Sequence, residues 1–359
     1  MTSTRRLPAL DTLRALAILS VVAFHFRGVY LAESGYPWLQ TFLQFGASGV
    51  DLFFVLSGYL IAGLILSEWR RTGGLDAGRF WRRRWMRTLP AYYVVLTALA
   101  LADFVVPPDH AWQSFLSYWV FLPNYLTDLV NWRFSWCWSL CVEEWFYLLL
   151  PVIVLRLQAF RRHFSPERVL RTIAVLAVLL SVTARFHMFL LQRRGALDLH
   201  TAWWTVYWVT HYRLDGLATG LFVATLPTLR SRGWTFGLAA AALSVLLIQV
   251  VVDDAGSPAY DFQKFLISAV AFGALVYISV GDNRWAGSRF VGARFIADHS
   301  YSLYLVHPIL LKVVDRMAAS HPHAGQLALI PLTLMSAMFL RHGIEVPFIR
   351  LRDRLDATR

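Results

Sequence analysis

Apolar residues run through this chain in continuous stretches, not in the ten-residue alternating segments of a membrane β-barrel. About 20 consecutive apolar residues are enough to carry a helix across a bilayer. Stretches of that kind lie at 8–30, 41–66, 90–106, 138–155, 172–190, 203–226, 234–252, 263–280, 295–317 and 326–345. The pattern predicts an all-α polytopic membrane protein with about ten transmembrane helices in one bundle. No internal repeat, low-complexity tract or long hydrophilic block interrupts it, so residues 1–359 read as a single membrane domain.

Composition agrees with this reading. Of 359 residues, 57% are hydrophobic and 16% charged, where a soluble domain carries roughly a quarter charged. With a mean hydropathy of +0.50, a disordered chain is excluded and an ordinary cytosolic enzyme is disfavoured. The net charge of +12 comes almost wholly from arginine, the lysines being Lys264 and Lys312. Taken alone, such basicity suggests nucleic acid; the hydropathy argues for no nucleic-acid partner. Sorting cations by connecting segment explains most of them. With the N-terminus inside, 23 arginines fall on the inner side and three (Arg133, Arg193 and Arg194) on the outer. Both termini are therefore expected in the cytoplasm. Arg5 and Arg6 before an apolar run resemble a signal peptide, but Asp11 and Arg14 interrupt it and no small-x-small cleavage site follows. A retained first span is expected. Cys137 and Cys141 read as small apolar residues, and no metal site is expected.

Ionisable groups inside spans are costly and by default mark a pathway or site. Arg14 and His25 are eleven residues apart, three helical turns plus about 20°, with about 16 Å of rise between them. Asp11 falls within about 60° of both, so the three share one face. A snorkelling arginine and a structural histidine would give the same pattern. The second span holds Asp51, Ser57 and Gly58, readable as polar lining or as close helix packing. In the fourth, Ser139, Glu143 and Tyr147 share a face beside Glu144; the acids would also suit the helix dipole at that end. In the ninth, Ser300, Tyr304 and His307 form a stripe ending at Pro308. Arg213 and Asp215 cannot face each other on one helix, so each needs a partner elsewhere. His211 and Asp215, four residues apart, could pair. Gly216 and Gly220 have small-xxx-small spacing. The segment from Phe80 to Pro90 reads as an arginine-rich loop ahead of the third span. It suits anionic lipid or a phosphate, whose oxygens the guanidinium fork matches.

Taken in order, these residues resemble the acyltransferase 3 family of integral membrane O-acyltransferases over nearly the whole chain. The resemblance is carried by Asp11-x-x-Arg14 with His25, Asp51-Leu-Phe-Phe-Val-Leu-Ser57-Gly58, and Arg83-Arg84-x-x-Arg87-x-x-Pro90. Further matches are Trp138-Ser139-Leu-x-Val-Glu143-Glu144-x-Phe-Tyr147, Arg213-x-Asp215-Gly216, Ser300-Tyr301-Ser302-Leu303-Tyr304-Leu305-x-His307 and Glu345-x-Pro347. It implies transfer of an acyl group, often acetyl, from cytoplasmic acyl-CoA to a hydroxyl. The acceptor would be a cell-surface carbohydrate or its lipid-linked precursor, and the setting the bacterial inner membrane. No permanently bound cofactor is implied; acyl-CoA is the donor substrate. Some members add a C-terminal hydrolase-like domain. This sequence runs to Arg359 without one, so that contribution is expected from elsewhere or to be unnecessary.

The expected mechanism follows from the stripe on the first span. Arg14 with Arg83, Arg84 and Arg87 would hold the nucleotide phosphates, and the pantetheine arm would present its thioester near His25. His25 would act as general base, imidazole being suited to working pH. Asp11 would orient Arg14; Glu143, the second candidate catalytic residue, or Tyr304 or His307 would position the acceptor or His25, with Asp51, Ser57, Glu144, Tyr147, Arg213 and Asp215 in supporting roles. The rival reading is a transporter of a glycan or other solute that uses the same intramembrane charges as a relay.

Overall fold

The computed structural model describes residues 7–31, 36–105, 113–126, 134–160, 164–229, 231–255, 258–281, 290–318 and 322–357. Of the arginines counted for orientation, Arg5, Arg6, Arg133, Arg161, Arg162, Arg230, Arg284, Arg289 and Arg359 lie outside them. The described residues are helical and contain no strand. In chain order the helices are α1 (Pro8–Leu31), α2 (Pro37–Gln44), α3 (Gly49–Thr72), α4 (Ala77–Val105), α5 (Gln113–Trp119) and α6 (Pro123–Leu126). Then come α7 (Trp138–Phe160), α8 (Pro166–Arg193), α9 (Leu199–Trp208), α10 (Asp215–Val223) and α11 (Arg232–Ala255). The last are α12 (Pro258–Ser279), α13 (Ala293–Ala318), α14 (Pro322–Leu340) and α15 (Val346–Ala357).

Seven helical stretches among the described residues are long and apolar enough to cross a membrane: Pro8–Tyr30, Trp38–Thr72, Ala77–Ala102, Pro166–Arg193, Arg232–Val252, Phe262–Ser279 and Gly325–Ala357. They coincide with seven of the ten expected spans. The other three fall on α7, on α13 and on the region 203–226. Large apolar side chains such as Leu176 and Leu180 on α8, Leu247 and Val251 on α11, and Met335 and Phe339 on α14 are exposed. Buried arginines and carboxylates lie inside. That inversion of a soluble protein suits a hydrocarbon solvent.

The chain divides into two compact units. The first comprises residues up to Phe24, Tyr36–Leu75 and Val152–Ala297; the second comprises His25–Gly35, Asp76–Pro151 and Asp298–Arg359. Helices α1, α7 and α13 each contribute to both. In the first unit Leu13 and Ala17 of α1, Val55 and Leu56 of α3, Leu246 of α11 and Phe272 of α12 share one core. α3 and α10 approach closely through glycines. A Cβ at Gly58 would run into the Leu217 carbonyl, and one at Gly220 would stand 2.6 Å from the Tyr59 nitrogen. The packing reading of Gly58 and of the Gly216/Gly220 spacing therefore holds.

Two expectations are corrected here. The region 203–226 is not one continuous helix. α9 stops at Trp208, Val209 is extended, Thr210–Tyr212 form a 3-10 turn, and α10 starts at Asp215. Buried backbone that leaves the helix needs other partners for its carbonyls, and side chains provide them. Arg213 Nη1 donates to the Tyr207 carbonyl (2.9 Å), Ser181 Oγ to that of His211 (2.8 Å), and Arg185 Nη1 to that of Tyr212. His211 thus precedes α10, and its four-residue spacing to Asp215 has no helical meaning. The second correction concerns the arginine-rich segment. It is not a loop but the first three turns of α4, with Pro90 inside the helix. Arg83 and Arg87 consequently share a face, with Arg84 turned about 100° from Arg83.

Candidate active site

The second unit brings together the last turns of α1 and the middle of α13. His307 is fully buried, at 0% exposure. Its Nδ1 lies 3.0 Å from the Leu303 carbonyl, one turn back on the same helix. A carbonyl only accepts, so Nδ1 carries the hydrogen. In the neutral ring Nε2 then bears the lone pair. His307 Nε2 lies 3.3 Å from His25 Nδ1, with the ring centroids 4.9 Å apart and edge-on at 66°. With both rings neutral, His25 Nδ1–H is the donor, and the lone pair of His25 lies on Nε2. The tautomer follows from the hydrogen-bond chain. α1 is tied down beyond His25: Tyr30 donates to the Gln326 carbonyl (2.7 Å), and Gln326 Nε2 to that of Val29 (2.9 Å).

Tyr304 is one turn from His307 on α13, with ring centroids 5.8 Å apart. Its hydroxyl donates to the Trp136 carbonyl (2.8 Å), so its oxygen accepts from Ser139 at 2.6 Å. The Ser139 face of α7 and the Ser300–His307 stripe of α13 are thus joined at Tyr304. Ser300 itself is buried. Cys137 and Cys141 are buried, with free thiols.

The rest of the α7 stripe meets α4. The Arg84 guanidinium sits 3.9 Å from the centre of the Tyr147 ring, donates to the Tyr147 hydroxyl, and approaches Glu143 Oε2 at 3.5 Å. Glu144 is buried and accepts from Thr88 Oγ1 at 3.0 Å, while Tyr301 donates to the Thr88 carbonyl (2.9 Å). Arg84 is thus engaged inside the bundle. Arg83 and Arg87 are exposed. Arg83 Nε stands 3.4 Å from Asp356 on α15 with its side chain 42% exposed, and Arg82 pairs with the same carboxylate at 2.7 Å. One acid facing two arginines leaves this surface net positive, as a phosphate site requires. On α13, Ser302 bonds to the buried Glu345, which ends the π-helical segment Arg341–Glu345. Such segments break the regular bonding of a helix and often lie near sites.

Asp51, Arg213 and Asp215 belong to the first unit. Arg213 and Asp215 have separate partners, although Arg213 precedes α10 and the two do not share one helix as the spacing argument assumed. Arg213 Nη2 pairs with Asp51 at 2.6 Å, its guanidinium lying 3.8 Å above the Phe265 ring. Asp215 takes both ends of the Arg185 guanidinium, one at 2.9 Å. Arg185 is entirely buried. Sequence reasoning passed over it, although one arginine in the apolar run 172–190 was the available signal. Asp11 is buried on α1, Arg14 is half-buried there, and Ser57 is half-buried on α3.

The acyltransferase-domain model of the acyltransferase 3 family matches residues 7–342. A Staphylococcus aureus (strain COL) protein carrying the provisional name O-acetyltransferase is 28% identical over 96% of this chain and 57% of its own length. The O-acetyltransferase OatA of Staphylococcus aureus (strain NCTC 8325) is 27% identical over 87% of this chain and 52% of its own length. The chain thus spans little more than half of these curated relatives. No solved structure matches. With its several membrane-length apolar helices, the chain is a multi-pass membrane protein that belongs to the acyltransferase 3 family.

Proposed function

We propose that this protein is a membrane O-acyltransferase that moves an acyl group, acetyl in the first instance, from cytoplasmic acyl-CoA to a hydroxyl of a cell-surface carbohydrate or its lipid-linked precursor. Residues 1–359 act as one domain of about ten spans in the bacterial inner membrane, with both termini cytoplasmic. The arginine asymmetry between connecting segments supports that orientation. Family membership and the relatives' names support the reaction class.

The observation that carries the mechanism is the chain from Leu303 through His307 to His25. It leaves His25 Nε2 with a lone pair while Nδ1–H is held by a second imidazole, the arrangement of a general base with an orienting partner. Nε2 takes the proton of the acceptor hydroxyl as its oxygen attacks the thioester carbonyl carbon. The tetrahedral intermediate collapses with cleavage of the C–S bond, and the CoA thiolate recovers the proton from Nε2. His307 is a positioning residue that also spreads the charge of the transient imidazolium. Arg83 and Arg87, in the unit that holds His25, bind donor phosphates. Arg84 shapes the wall with Glu143 and Tyr147.

The test is the full chain in liposomes with radiolabelled acetyl-CoA and a panel of glycans. Wild type should release CoA and label a glycan, and His25→Ala should do neither while inserting normally. Glycan movement without CoA release would favour transport instead.

A further inference from the structure

A lateral groove of about 400 Å³ opens between α8, α10 and α12 of the first unit. Val175 and Leu179 of α8, Phe222 of α10, and Val270 and Ala274 of α12 line it. Its floor depends on Gly273, where a Cβ would stand 2.5 Å from the Thr219 methyl. Polar ligands find almost nothing to bond there, and apolar cavities of this kind stay dry. Val175, Leu179 and Val270 are exposed along the faces of membrane-length helices, so the groove opens toward hydrocarbon.

A fixed cation stands at one end. Arg171 precedes Ala174 and Val175 by one turn of α8. Its Nε donates to Thr225 Oγ1 (2.8 Å) and its Nη2 to the Thr225 carbonyl (2.6 Å), beside groove residue Leu226. Both acceptors are neutral. Glu167, one turn earlier on α8, is committed to Arg70 at 2.7 Å. Among the described residues Arg171 forms no ion pair, and its remaining Nη1 donors are unspent. A preorganised guanidinium without a counter-charge is a phosphate-binding group. Basic sites between membrane helices are typical seats for anionic headgroups.

We propose that this groove binds one anionic phospholipid of the bilayer, an acyl chain lying between α8, α10 and α12 and the phosphate resting on Arg171. Lipid tails would cover any apolar face; the cation at the end of this one makes the site selective. Occupancy would brace α10 against α8 and α12 without taking part in acyl transfer.

Native mass spectrometry of the delipidated full chain tests this, with phosphatidylglycerol and phosphatidylcholine of matched chains as probes. Wild type should retain one phosphatidylglycerol about tenfold more tightly than phosphatidylcholine. Arg171→Gln should abolish that preference, and Ala274→Phe, which fills the groove, should abolish retention of both. Circular dichroism and size-exclusion profiles would verify that the variants fold. If either does not, the comparison of the two lipids on wild type still decides. Equal affinity for the two, or unchanged phosphatidylglycerol retention in both folded variants, would overturn the proposal. So would a polyprenyl phosphate that displaces phosphatidylglycerol at equal concentration, because the groove would then belong to an isoprenoid carrier.

Discussion

Both compact units bury ionisable side chains, and they do so differently. In the first, Asp51 meets Arg213 and Asp215 meets Arg185, and the arginines' other donors go to carbonyls of the broken α9–α10 segment. Charge is neutralised and the guanidinium donors are largely spent. In the second, two imidazoles face each other, His307 Nε2 lying 3.3 Å from Nδ1 of the half-buried His25. Intramembrane charge alone therefore does not distinguish a site from a brace. What separates them is the chemistry of the partner: guanidinium meets carboxylate in these pairs of the first unit, and imidazole meets imidazole at His25 and His307.

Each side of that contrast can be broken separately. The largest effect is expected at His25. His25→Ala should lower acetyl transfer by about 10²–10⁴-fold, the usual contribution of a general base, without lowering the amount of folded protein in the membrane. Next comes the ion-pair side. Arg185→Ala leaves Asp215 buried and unpaired, at a cost of about 3–5 kcal/mol; thermal unfolding in detergent should show it. Restoring neutrality with Arg185→Leu and Asp215→Leu together should recover much of that loss, which a catalytic pair would not do. Gly220→Ala drives a methyl into the α3 backbone and should cost about 1–3 kcal/mol, read by the same melt. The smallest effect should come from Arg83→Ala or Arg87→Ala, which should raise the KM for acyl-CoA about tenfold with kcat nearly unchanged. Arg84→Ala, by contrast, should reduce stability through Glu143 and Tyr147.

Much of this was legible in the sequence because hydropathy and helical period are local properties. Continuous apolar runs located the long helices. Separate partners for Arg213 and Asp215 were expected, though from a shared helix that the chain does not form there. The 11-residue interval from Arg14 to His25 lies within one uninterrupted helix. Partnership across helices was not legible. Nothing local says that His307 faces His25, that Tyr304 joins Ser139, or that Arg185 serves Asp215. The break at Val209 was hidden because its carbonyls are satisfied by Arg213, Ser181 and Arg185, two of them on another helix. The arginine segment before Pro90 looked like a loop because charge masked its helical character, yet proline is tolerated in membrane helices when other groups cover the freed carbonyl.

The most direct test of the His25 assignment is chemical rescue. Purified His25→Ala protein in liposomes, given labelled acetyl-CoA and an acceptor glycan, should be inactive, and added imidazole should restore measurable transfer because it supplies the missing base. Wild-type rates in the unrescued His25→Ala protein would contradict the account.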